Sequence, residues 1–356
     1  MNGDDLFSKL FELFNQPGPV NWKLAAEIAK HLTGERQPVE PWAAEEFREL
    51  ARLAEYRVGQ VAPFPVRPAP DVLPLDPRGW AEKNLESYAA LVEPFGATVG
   101  DGDAEALMGQ LAPVIIGMQV GGLVGSFATW VMASFDAGLP PERPGSIHLI
   151  IPNIVSFEVN GVDRREVNLW VTTNEVAFRS LSEVPWVADH LSRLVDDYAA
   201  TIRIDPSKLS GLMISGTDPS ALEQALAEVG GIEGLIGGEE ADGPREELEA
   251  FLGAVTGCAR LLARRAVREI VPAFDRITEA RDEIREEPAA APGIGLGPVP
   301  VEATRLGDLF NQEVENRYGS DALHTLWSDP SRMPTASELR DPTEWAARVL
   351  LDGWDL

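Results

Sequence analysis

Val167 to Leu191 reads VNLWVTTNEVAFRSLSEVPWVADHL. The spacing of its apolar residues predicts one helix from about Arg165 to Leu181 and a second from about Trp186 to Ile202. The segment just before it, Ser146 to Phe157 (SIHLIIPNIVSF), is apolar and β-branched, the best strand candidate in the chain. Before that strand lies a run without charge, Leu107 to Phe135, with Gly117, Gly121 and Gly125 at steps of four. It is long enough to cross a bilayer. Yet both flanks are acidic, with Asp101, Asp103 and Glu105 on one side and Asp136 on the other. Pro113, Gln110 and Gln119 also interrupt the run, and no Lys or Arg cluster sets an orientation. The reading adopted is a helix buried on all sides of a soluble core, its glycines admitting close neighbours.

Further out, Leu6, Leu10, Leu13 and Phe14 repeat at helical spacing before the break at Pro17-Gly18-Pro19. Helices are predicted at about Asn21 to His31, Pro41 to Val58 and Arg78 to Val92, with a proline-studded extended connector from Val61 to Pro77. Toward the C-terminus, Gly230 to Gly243 reads as a glycine-rich acidic loop, and one long helix is predicted from about Glu246 to Arg285. Arg260, Arg264 and Arg268 form a stripe on it, read as a solvated face balanced by Glu246, Glu247 and Glu249. A helix from about Glu302 to Tyr318 and a short one near Trp345 complete the chain. The expectation is a mainly α protein with a small β element. Its parts are an N-terminal helical region (1–95), a core (96–288), a linker (289–300) and a C-terminal helical tail packed on the core (301–356).

The chain has 356 residues, and 30 Lys plus Arg against 57 Asp plus Glu give a net charge of -27. That charge repels phosphate backbones and anionic headgroups, so neither nucleic acid nor a membrane surface is an expected partner. The single cysteine, Cys258, excludes an internal disulfide and a Cys-based zinc cluster, and the four histidines leave few metal sites. The opening Met1-Asn2-Gly3-Asp4-Asp5 is acidic where a secretory signal is basic, so the expected location is cytoplasmic.

Asn174, Glu175, Val176, Ala177 and Phe178 follow a strand on a predicted helix, where a zinc peptidase carries His-Glu-x-x-His. In that motif two histidines four apart grip one metal, and the Glu polarises its water. Here the Glu stands, as Glu175, without the histidines. The chain resembles a family of bacterial zincin-like proteins labelled as hydrolases or zinc-dependent metallopeptidases. The likeness runs through Gly18-Pro19-Val20-Asn21-Trp22, the glycine-rich helix ending at Phe135-Asp136, and Pro152-Asn153-Ile154. It continues through Val184-Pro185-Trp186, Met333-Pro334-Thr335 and Asp341-Pro342 to Trp345. The resemblance implies a zincin-like helical fold, a zinc cofactor, and a Glu-Gly-His segment that aligns with Thr256-Gly257-Cys258. The implied ligands then fall on Asn174, Phe178 and Thr256 or Cys258, a set that leaves zinc without imidazoles, so no metal or other cofactor is expected.

His190 is read as a helix-face histidine, with a ligand role as the alternative. His148 is read as structural, and His324 has no partner motif. No Gly-x-Ser-x-Gly elbow or Walker loop occurs, and Gly293-Ile294-Gly295-Leu296-Gly297 lacks a βαβ context. The expected function is that of a non-catalytic, degenerate zincin whose cleft, lined by Asn174, Glu175 and Phe178, binds a peptide or protein partner, with Cys258 and His190 as further binding candidates. The strand is expected to align an extended peptide by main-chain hydrogen bonds. The alternative is a peptidase with a site rebuilt around Glu175 with Cys258 or His190, and a third reading is membrane association through Leu107 to Phe135.

Overall fold

A computed structural model describes residues 18–97, 105–139, 145–201, 203–204, 236–237, 242–286 and 297–351. The helix expected at Leu6 to Phe14, most of the Gly230 to Gly243 loop and most of the 289–300 linker lie outside them. In chain order the elements begin with α1 (Trp22–Thr33), α2 (Pro41–Gly59) and β1 (Val72–Leu75). Next come α3 (Pro77–Asn84), a 3-10 turn at Leu85–Tyr88, α4 (Ala89–Ala97), α5 (Glu105–Trp130) and the single turn α6 (Ser134–Ala137). Then follow β2 (Ile147–Ile150), α7 (Ile151–Ser156), α8 (Arg164–Ser182) and α9 (Val187–Thr201). The two-residue strands β3 (Arg203–Ile204) and β4 (Ile236–Gly237) pair antiparallel. The chain continues with α10 (Asp242–Val267), α11 (Phe274–Glu286), α12 (Val301–Tyr318), α13 (Ser320–Leu326) and α14 (Pro342–Leu350). The protein is mainly helical with a small β element, as the sequence predicts; that element is a two-stranded parallel sheet.

Local chemistry sets several boundaries. Asn21, Asp76 and Asp163 cap α1, α3 and α8 by accepting the amides of Leu24, Gly79 and Arg165 at 3.1, 2.9 and 2.8 Å. The strand predicted over Ser146 to Phe157 is cut to four residues. Pro152 lies in the first turn of α7, where its fixed φ suits a helix and its missing N–H would break a ladder. The partner strand is equally short, and the two pair in parallel with Val72 opposite Ile147 and Leu75 opposite Ile150. The helix predicted from Glu246 to Arg285 is two helices. Pro272, between α10 and α11, turns the chain back so that α11 packs against α8 and α10.

The basic stripe is a solvated face at Arg268, which is exposed, but not at Arg260 and Arg264. The fold-back brings Asp282 to Arg260 and Asp275 to Arg264, and α12 adds Asp308 at Arg264. The glycine-rich helix α5 contains one stretch, Pro113–Trp130, long and apolar enough to cross a membrane. It packs on α1, where Cβ atoms placed on Gly117, Gly121 and Gly125 would come within 2.6, 2.5 and 2.9 Å of atoms of its N-cap Asn21, of Ala25 and of Ala29. Burial on all sides was expected. The helix instead keeps a partly exposed stripe through Ile115, Met118, Gly122 and Ser126, ending in exposed Thr129.

One apolar cluster runs from Val20 to Ala346. At its centre lies α8, packed by α2 and α10, with β2, α6 and α11 also against it. Every residue of α8 from Val167 to Ser182 is buried. The end of the linker joins the core, with Val299 buried and its amide bonded to the Ala137 carbonyl at 2.9 Å.

Candidate functional site

Total burial forces the polar residues of α8 to find partners inside the protein. Thr172, Thr173, Ser180 and Ser182 each donate to the carbonyl four residues back, at 2.7 to 3.0 Å. Asn174 does the same with its amide nitrogen, on Trp170 O at 2.8 Å. The side chains of Asn174 and Phe178, one helical turn apart, line a cleft of about 390 Å³ measured to its open mouth. Trp170 and Phe135 complete an aromatic wall. Thr256 from α10 and Thr304 from α12 face the same space, joined through their hydroxyls at 3.1 Å.

The remaining walls carry charge. Arg260, Arg281 and Arg285 line the cleft together with Asp136 and Asp282. Asp136 is fully buried and receives Nε and Nη2 of Arg281 at 3.0 and 2.8 Å, as well as the Met132 amide at 2.8 Å. Arg281 also donates to Trp130 O and lies over the Trp130 and Phe157 rings, 5.5 and 5.7 Å from their centroids. Asp282 receives Nη1 and Nη2 of Arg260 at 3.0 and 2.7 Å.

Residues 20–346 match the model of one protein family, described as zincin-like metallopeptidase. The chain belongs to that family. A crystal structure titled as a "putative hydrolase with a novel fold" from Chloroflexus aurantiacus shares the fold of this zincin-like chain. Identity is 19%, the TM-score is 0.66, and the match covers 94% of this chain and 99% of that one. No curated protein matches.

Of the residues singled out in this zincin-like sequence, Asn174, Phe178 and Thr256 come together at the cleft, and three others do not. Glu175 lies beneath the wall, its carboxylate accepting the Phe135 amide at 2.9 Å. Burial pushes its pKa up to about 7, against the pull of the Phe135 amide, the Ser134 hydroxyl and Arg179. Burial of the Tyr88 phenol, with the charge of Glu175 added, pushes it far above the usual range. Cys258 is fully buried away from the cleft, and burial raises its thiol well above the range in which a thiolate forms. His190 sits in an aromatic cluster, edge-on to Phe251 at 4.8 Å and to Trp186 at 6.0 Å, and burial lowers its pKa.

His148 is held by Asn84 through Nδ1 at 3.1 Å, and burial takes its pKa down to about 4. Among the described residues no three His, Cys, Asp or Glu side chains converge as a metal site would require. The edge of β2 is partly spent as well, since the Ile150 amide already bonds Met132 O at 2.8 Å. The expected main-chain alignment of a peptide along this strand therefore loses that donor.

Sequence reasoning missed Asp136, Arg281, Asp282 and Arg285 as members of the site. The one signal was Arg281 and Arg285 four apart on one helix, a spacing that solvated helix faces share.

Proposed function

We propose that this chain is a non-catalytic zincin-like protein, one that keeps a cleft for a peptide or protein segment and has lost the metal chemistry. The observation that carries the reading is the set of side chains meeting at the cleft. The positions aligned with the family's ligands offer an amide, a phenyl ring and a hydroxyl, and three guanidinium groups share the space. Catalytic zinc takes about three N, S or O protein ligands, and imidazole, thiolate and carboxylate are the effective ones. A neutral amide is a poor substitute and a phenyl ring is none. Nearby cations repel a dication further. The residues present do not fit zinc, and on this reading His-Glu-x-x-His is degenerate.

A peptidase rebuilt around Glu175 gains no support, because neither the buried thiol nor the edge-on imidazole of His190 lines the cleft. The net charge of -27 favours a polypeptide partner over a polyanion. The test is elemental mass spectrometry of the purified, untagged full chain after zinc exposure and desalting. Less than about a tenth of an equivalent is expected on the ligand count, and a value near one equivalent overturns the reading.

A further inference from the structure

The close crossing of α1 and α5 leaves an apolar groove on its outer side. Gly117, Gly121 and Gly125 meet Asn21, Ala25 and Ala29 in turn, so the two helices run parallel. Each residue of a right-handed helix is turned about 100° from the last, which sorts the flanking residues to either side of that contact line. Trp22 and Ala26 of α1 and Val120 and Val124 of α5 fall on the inner side, and all four join the core. Leu24, Ile28 and Leu32 of α1 fall on the outer side, as do Ile115, Met118 and Gly122 of α5. None of these five apolar side chains is buried, and Leu32 is 46% exposed. A Cβ on Gly122 would meet nothing within 4 Å, whereas the three glycines of the crossing have no such room.

We propose that this groove is the docking site of the chain's own N-terminal segment, Leu6 to Phe14, seated as a helix antiparallel to α1. The segment lies outside the described residues, and its sequence fits the groove. Leu6, Phe7, Leu10, Phe11, Leu13 and Phe14 fall on one arc of a helix, with Asp5, Ser8, Lys9 and Glu12 on the other. Leu6 to Phe14 and Leu24 to Leu32 are the same number of steps, each about 12 Å of helix. The chain also enters at the right place. Gly18 turns with φ +124°, and the Asn21 amide donates to Pro113 O at 2.8 Å, which fixes the entry at the Ile115 end of the groove. Seven residues, Asn15 to Asn21, separate Phe14 from α1, a length that suits a connection between antiparallel helices. In that direction Asp4 and Asp5 reach the last turn of α1, where Lys30 and His31 stand. So short a tether holds the segment at high effective concentration. A second copy would instead bring another net charge of -27 against the first.

The test is thiol cross-linking of the full chain under mild oxidation. Leu10→Cys is paired in turn with Ile28→Cys and with Met118→Cys, the native thiol of Cys258 being fully buried. Leu10→Cys with Tyr56→Cys is the control, because Tyr56 is 68% exposed on α2, a helix that lines no part of the groove. At least one groove pair is expected to close within the monomer about tenfold faster than the control, as a docked segment requires. Equal rates for all three pairs would overturn the proposal, and disulfide-linked dimers would give the groove to a second copy. A second measurement needs no new thiol. Leu10→Asp combined with Phe14→Asp is expected to uncover the groove and raise the fluorescence of a hydrophobic dye severalfold, with circular dichroism confirming that the rest of the chain stays folded. Unchanged dye binding would likewise overturn the proposal.

Discussion

Glu175 is the residue of the family motif that this chain keeps, and its surroundings give it a structural task. Its carboxylate holds the Phe135 amide at the start of α6 and so fixes the aromatic wall above it. Desolvation costs it more than those hydrogen bonds return, so its pKa rises from 4.5 to about 7. Between those values the folded state keeps a proton that the unfolded chain has released. The stability tied to the neutral carboxyl is therefore complete below 4.5 and lost as pH rises through about 7. Glu175→Gln is neutral at every pH. It is expected to stabilise the chain by up to about 3 kcal/mol near pH ~8 and to change little near pH ~5. Urea unfolding at the two pH values checks this, and equal effects at both would mean that Glu175 does not titrate in the folded protein.

Two helix crossings depend on glycine. At the first, α5 lies on α1 through Gly117, Gly121 and Gly125. The sequence announces this one, because three glycines at steps of four inside an apolar run mark a close approach. The second joins α10 to α12 and is tighter. A Cβ on Gly307 would stand 1.8 Å from Gly253 O, and one on Gly257 would stand 2.1 Å from the Asp308 amide nitrogen. Backbone atoms cannot move aside as a flexible side chain does. Gly307→Ala is thus expected to cost about 3 kcal/mol or more, read as a lower urea midpoint. An unchanged midpoint would show that the helices part without loss. This crossing also places Thr256 and Thr304 at the cleft, so the same variant is expected to disturb the site.

The whole molecule is closed by contacts between distant parts of the chain, of which Asp136 with Arg281 is the most buried. The pair ties the turn after α5 to α11, and each side chain is at most 5% exposed. Asp136→Ala would leave a buried guanidinium unpaired, at an expected cost of about 4 kcal/mol in urea unfolding. A loss below about 1 kcal/mol would mean that water or another group replaces the carboxylate. Much of the architecture was legible beforehand, since periodicity marks α1, α2, α8, α9 and α12 to within a few residues and Pro152 and Pro272 stand in plain view. Their effect was misjudged because β-branched propensity and helical periodicity were given more weight than one missing N–H. The cleft was legible at Asn174, Phe178 and Thr256, which a shared motif brings together. Its arginines and aspartates were not, because in a chain this rich in carboxylates a charged residue's partner is set by which helices meet. Sequence alone thus determined the helical class, the central helix and the absence of histidines at the motif. Only the tertiary structure decided which carboxylates neutralise which arginines, and that Arg285 forms no ion pair among the described residues, because pairing depends on the distances at which separate helices are packed.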